Sequence, residues 1–180
     1  MRLKDSDYLS EKFILFFLLL FIFSVKSLCT NFEYGVELLK NNQLDSALEI
    51  FLALEKENPD DYGVINNIGV VFFEKTQYNL AWNYFEKAKN LNPEYKNAYI
   101  NLGLIHFYNS DWNRLINLVR ETIRVFPEDF DSLILLESYA RYRLRDFRKA
   151  KELFLMLDSG NIDSELQDLY SNLEKKIKLL

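Results

Sequence analysis

Three glycines and three prolines cut most of this chain into equal lengths. Gly35, Gly69 and Gly103 stand 34 residues apart, and Pro59, Pro93 and Pro127 keep the same interval, each 24 residues behind its glycine. Two residue types with opposite backbone habits therefore share one period, and any fold of the chain has to place the successive stretches in equivalent surroundings. The chain has only five glycines and three prolines among its 180 residues, too few turn residues for a protein of many short strands, so the repeated element is built from helices.

Between the markers the residues recur as well. Ala47 and Ala81 lie twelve residues after the first two glycines, and Phe51 and Phe85 follow one helical turn later. Each period contains two helices. The first carries apolar residues at helical spacing, as in Ile65, Ile68 and Phe72, or Tyr99 and Leu102 with Phe107 further on; the second is clearest in Leu80, Ala81, Tyr84, Phe85, Ala88 and Leu91. Glycine on one helix and alanine on the other let two axes approach closely and cross antiparallel, with aromatics filling the space beside the contact. Proline then stops the second helix, so NPDD, NPEY and FPED read as turns whose acids, Asp60 with Asp61 and Glu128 with Asp129, sit favourably at the next helix start.

This pattern resembles the tetratricopeptide-repeat family, over residues 28 to 158. The match is fullest in 62–95, where Gly69, Ala81, Phe85, Ala88 and Pro93 all agree. The third unit keeps Gly103 and Pro127 but has Leu115, Val119 and Thr122 in place of alanine, aromatic and alanine. A fourth is recognisable from Asp146 to Ala150 and Phe154, with Ser138 in the glycine place, after a one-residue insertion. The resemblance implies an all-α fold, a right-handed superhelix of stacked antiparallel helix pairs at 28–160, in units of about 28–61, 62–95, 96–130 and 131–160. Residues 161–180 read as an amphipathic capping helix with Asp163 or Ser164 as N-cap and Leu166, Leu169, Tyr170, Leu173, Ile177 and Leu180 on one face.

In such a superhelix the first helices line a concave groove that takes peptides or helices. Carrying the family's groove positions onto this chain gives Phe32, Val36 and Leu39, then Asn66, Asn67, Val70 and Phe73, then Asn97, Ile100, Asn101, Leu104, Phe107 and Tyr108. Some family members clamp a partner's terminal carboxylate with lysines and asparagines on these faces. Here only Asn67 matches that clamp, because Phe32 and Val36 occupy its first-unit positions and Asn97 and Asn101 its third-unit ones. The resemblance then implies apolar contacts, with asparagines bonding a peptide backbone. A second feature is a basic cluster, Arg141, Arg143, Arg145, Arg148, Lys149 and Lys151, which reads either as a solvated helix face or as a patch for anionic headgroups or an acidic strip.

Before the repeats, Phe13 to Phe23 form an unbroken apolar run extended to Val25. As a helix at about 1.5 Å per residue it spans roughly 20 Å, short of the ~30 Å hydrocarbon layer and closer to a signal-peptide core. Residues 1–27 are therefore expected to be a signal peptide, cut after Ser27 or Cys29, or an N-terminal anchor touching the membrane through 13–25. Arg2, Lys4 and Lys12 outweigh Lys26, so the repeats face outward in both cases, placing the protein in the periplasm or cell envelope. Cys29 is either a lipidated cysteine or an ordinary thiol.

The net charge of −5, with bases and acids interspersed, gives no footprint for nucleic acid. The single histidine, His106, falls at an inward-packing helix position, and the chain shows no phosphate loop, metal-ligand pairs or nucleophile elbow. No cofactor or metal is expected, and no catalysis. The expected function is a scaffold that binds another protein; the alternatives are a structural subunit of a homo-oligomer or envelope assembly and, distantly, an enzyme.

Overall fold

A computed structural model describes residues 31–126 and 131–179. The expected leader or anchor, Cys29, and the acids of FPED lie outside the described residues, as does Pro127. Among the described residues nine α-helices follow one another: α1 (31–40), α2 (Leu44–Glu57), α3 (Tyr62–Glu74), α4 (Tyr78–Leu91), α5 (Lys96–Tyr108), α6 (Trp112–Val125), α7 (Asp131–Arg143), α8 (Phe147–Phe154) and α9 (Gln167–Ile177). Successive helices pack on one another as antiparallel hairpins, α1 with α2 through α7 with α8, and each hairpin leans on the next. Among the described residues no helix is long and apolar enough to cross a membrane.

The joint within each hairpin is the same chemistry four times. Asn42, Thr76, Ser110 and Arg145 adopt left-handed backbone, with φ of 57°, 58°, 59° and 63°. Each donates its N–H three residues back, and the following residue donates five back: Asn42 to Leu39 and Gln43 to Leu38, Thr76 to Phe73 and Gln77 to Phe72, and likewise Ser110, Asp111, Arg145 and Asp146. These paired bonds satisfy carbonyls that a helix end leaves open, in the manner of a Schellman motif. Glycine is the usual residue there and none of the four is glycine, which is why the turns carry no common sequence signal.

The joint between hairpins also repeats. Asn58, Asn92 and Phe126 close α2, α4 and α6 with φ of −138°, −134° and −130°. Each precedes a proline, whose ring excludes helical backbone from the residue before it. Asp61 then caps α3, its carboxylate accepting from Gly63 N at 2.9 Å and Val64 N at 3.1 Å.

The core follows the small residues. Ala47, Ala81, Ala88, Phe51 and Phe85 are fully buried or nearly so. A Cβ on Gly69 would stand 2.5 Å from Cε1 of Phe85, and one on Gly35 would stand 2.8 Å from Cε1 of Phe51. The missing side chains are therefore what admits the rings. Unit four solves the same problem with a hydroxyl: Ser138 Oγ donates to the Ala150 carbonyl at 2.7 Å across the α7–α8 contact. At the end of the stack α9 buries Leu173 and Ile177, Tyr170 stacks on Phe154 with centroids 4.9 Å apart, and the last hairpin is thereby capped.

Candidate functional site

The first helices of the hairpins leave a concave wall behind them. A groove of about 520 Å³ runs along it, lined by Phe32, Val36 and Leu39 of α1, by Asn66, Asn67, Val70 and Phe73 of α3, and by Asn97, Ile100, Asn101 and Leu104 of α5. The period of 34 residues explains this alignment: after each repeat the same helical face returns to the same side. Val70, Phe73, Ile100 and Leu104 stay only half-buried, so the wall presents apolar surface to solvent.

Asparagines punctuate that surface. Asn101 Nδ2 donates to Asn66 Oδ1 at 3.0 Å across the α3–α5 contact, and Asn67 Nδ2 donates to the Gly63 carbonyl at 3.0 Å. Each amide bonded through one atom keeps its other polar atom for a further partner. Among the described residues no buried side-chain nitrogen or oxygen is left unpartnered, so these spare groups face the groove or solvent.

Phe107 and Tyr108 lie outside the groove lining. They sit where α5 turns into α6: Tyr108 meets Phe73 at 5.3 Å, and Phe107 meets Tyr139 at 5.1 Å and Trp112 at 5.9 Å. Phe107 packs toward α6 and α7, while Tyr108 stays exposed beside Phe73 at the end of the groove wall. The groove in turn has walls that repeat positions did not indicate. Lys40, Glu74 and Tyr95 line it, Phe85 reaches its floor from α4, and Asp163, Ser164 and Leu166 close it from the segment before α9. Asp163 is held there because Ser132 Oγ donates to its carboxylate at 2.5 Å while its own N–H donates back at 3.2 Å. The sequence pointed to this segment only through Asp163 or Ser164 as N-cap and Leu166 on an apolar face, and neither caps α9, which starts at Gln167 after a short 3-10 turn with Leu166 in the cap position. Burial holds the Tyr95 hydroxyl above its ordinary pKa, against an opposing hydrogen bond with Asn97.

No family model and no curated protein matches the chain. Solved structures do. A thermophilic TPR protein in Thermus thermophilus superimposes with a TM-score of 0.68 at 18% identity, over 83% of this chain and 82% of that one. The MamA protein gives 0.61 at 15% identity, over 84% and 88%. YrrB, a TPR protein with an unusual peptide-binding site, gives 0.56 at 15% identity, over 69% and 64%. The chain has the fold of a tetratricopeptide-repeat solenoid.

Within this solenoid the basic cluster is not one surface. Arg141 is mostly buried and engaged: its guanidinium donates to Glu137 Oε1 at 2.9 and 3.1 Å and to Asp146 Oδ2 at 3.3 Å. Lys149 bonds Glu152 at 2.7 Å on its own helix. Arg143, Arg145, Arg148 and Lys151 are exposed. His106 is buried against Trp82, with ring centroids 5.0 Å apart, and burial pushes its pKa below the usual histidine value despite Asp111. Among the described residues no group of three His, Cys, Asp or Glu side chains is placed to hold a metal ion.

Proposed function

We propose that this chain is an exported scaffold that binds an extended segment of another protein in the inner groove of its helix array. The observation that carries the reading is the groove's mixed chemistry. Half-buried Val70, Phe73, Ile100 and Leu104 offer sites for apolar side chains, and the asparagines between them offer hydrogen bonds to a peptide backbone. An extended segment needs both, since its amides lose water on entering an apolar wall. The apolar run before α1 supports outward placement, either as a leader or as an anchor.

The test is a selection of peptides from a displayed random library on the full chain, followed by affinity measurement. Wild type is expected to enrich apolar-rich sequences, and a Val70→Glu, Ile100→Glu variant to bind them at least about tenfold more weakly, since a buried unpaired charge costs several kcal/mol. Arg148→Glu is expected to bind them as wild type does. Equal binding by the groove variant overturns the reading. A second reading, self-assembly, draws on Leu155 and Met156, 72% and 66% exposed at the end of α8. Light scattering separates the two: a monodisperse monomer removes self-assembly, and an oligomer dispersed by Leu155→Ser, Met156→Ser favours it.

A further inference from the structure

The four left-handed turns occupy one edge of the array, and the fourth differs from the others in chemistry. Its sequence is Arg143, Leu144, Arg145, Asp146, Phe147, Arg148. Leu144 is 43% exposed and Phe147 40%, and the three arginines around them are exposed too. The acid in this turn is already engaged: Asp146 accepts from Arg141 at 3.3 Å and from Lys149 N at 3.3 Å, capping α8. The equivalent positions in the other turns carry Asn42, Thr76 and Ser110, so only here does the strained left-handed residue bear a charge.

Two of the cations are held in place by rings. Arg143 lies 4.9 Å from the Trp112 ring centre and bonds the Tyr139 hydroxyl at 3.2 Å. Lys176 of α9 lies 5.5 Å from Tyr142 and 5.7 Å from Tyr139, which brings a further positive charge from another helix to the same edge. Ring contacts orient a cation without neutralising it as a carboxylate does. The result is a turn with two exposed apolar side chains, Leu144 and Phe147, the latter tilted against Tyr142 at 5.5 Å, with cations on several sides. Among the described residues, none of those at this turn lines a cavity that could enclose a peptide. The turn suits a flat anionic layer, in which the cations meet headgroups and the apolar tips enter the interface.

We infer that the α7–α8 turn is a docking tip for a membrane surface rich in anionic lipid, with Leu144 and Phe147 entering the interface and Arg143, Arg145, Arg148 and Lys176 meeting the headgroups. This contact is separate from the groove and leaves the inner wall free.

The test uses the full chain with Cys29→Ser and one new cysteine carrying an environment-sensitive fluorophore, at Leu144→Cys or, as a control on the opposite edge, at Leu91→Cys. On vesicles of phosphatidylcholine mixed with phosphatidylserine, the Leu144 probe is expected to brighten and shift to the blue. It should do neither on phosphatidylcholine alone, and the Leu91 probe should change on neither. The dual vesicle comparison cancels any insertion through residues 13–25, which needs no anionic lipid. Arg145→Asn with Arg148→Gln is expected to raise the anionic lipid needed for half the change about thirty-fold at low salt, at roughly one decade or less per charge. Asparagine is comfortable in left-handed backbone, so the variant folds, and unchanged circular dichroism verifies it. Identical Leu144 emission on the two vesicle types, or indifference to the double substitution, overturns the inference. So does a probe that responds to polyglutamate but not to phosphatidylserine, which assigns the tip to an acidic protein instead.

Discussion

The first two hairpins and the third reach the same architecture by closing over their glycines in different ways. In units one and two the space left by Gly35 and Gly69 is filled from within the hairpin, by Phe51 and Phe85 of the helix that follows. In unit three no ring is available, because Val119 stands in its place. The space over Gly103 is filled instead by Leu133 of the next unit, whose Cδ2 would lie 2.9 Å from a Cβ there, with Leu115 and Leu136 at 3.5 Å. In the N-terminal hairpins the contact over the glycine is therefore closed within the unit, although Phe51 also clusters with Val64, Ile68 and Val71 of α3, and Phe85 with Leu102 and Ile105 of α5. Over Gly103 the contact is closed between units, inside one buried cluster of Leu115, Val119, Leu133, Leu136, Ala150, Phe154, Leu173 and Ile177 that runs from α6 to α9. A repeat keeps its period while the contact over its glycine moves from inside the unit to between units.

The largest effect expected from that contrast is at the self-contained ring. Phe85→Ala removes a fully buried side chain and should cost about 3–5 kcal/mol in urea unfolding. Leu133→Ala should cost about 2–5 kcal/mol and spread its effect over α5 and α7, read as lost amide protection in both helices, whereas Phe85→Ala should loosen α3, α4 and the adjoining face of α5 and leave α7 protected. If both variants loosen the same helices, the distinction between the two halves is wrong.

The glycines sharpen it further. Gly69→Ala pushes a methyl into the stiff Phe85 ring and should destabilise by about 2 kcal/mol, after allowing for the ~1 kcal/mol that alanine gains in a helix. Gly103→Ala is crowded by the free end of Leu133, which can turn aside, and meets Leu115 and Leu136 at ordinary contact distance. Its cost should be below about 1 kcal/mol by the same arithmetic. Equal costs at the two sites would show that ring and leucine yield alike.

Much of this architecture was legible in the chain. Gly35, Gly69, Phe51 and Phe85 announce their contacts because one residue type repeats at one spacing, and α9 announces itself by its apolar face. The turns within hairpins were not legible, since backbone bonds shape them and Asn42, Thr76, Ser110 and Arg145 share no side-chain chemistry. The repeat positions of α1, α3 and α5 as far as Leu104 coincide with the lining of the groove, whereas Phe107 packs on Trp112 and Tyr139, ring partners that the period does not indicate. The fate of Arg141 was hidden too. Glu137 can be seen as a helical neighbour four residues away, but nothing in the sequence shows that it is only 4% exposed and takes a guanidinium as its partner.

A smaller effect probes the turns. Thr76 is β-branched and sits at φ 58°, which costs about 1–2 kcal/mol, so Thr76→Gly should stabilise the protein by up to about 1 kcal/mol net of the flexibility glycine adds to the unfolded chain. Asn42→Gly should be close to neutral, because asparagine tolerates this backbone. Thermal midpoints of the two variants test the difference.

The smallest is a pH effect at the boundary between the halves. His106 is kept neutral by burial, with its pKa below the unfolded value near 6.5. The unfolded chain therefore binds the proton first, and this contribution to stability is complete above pH 6.5 and lost as pH falls from there toward the folded pKa. The urea midpoint of wild type should decline over that window, and that of His106→Gln should decline less. Parallel declines would place the pH dependence elsewhere.

The claim on which the functional account turns is that the inner wall, not the outer one, receives the partner segment. Photocrosslinking decides it most directly, with benzoylphenylalanine placed either at Ile100 in the groove lining or at Lys87 of α4 outside that lining, and a library-selected peptide added to each. Covalent peptide should form from position 100 and not from position 87. Crosslinking from position 87 with none from position 100 would contradict the account.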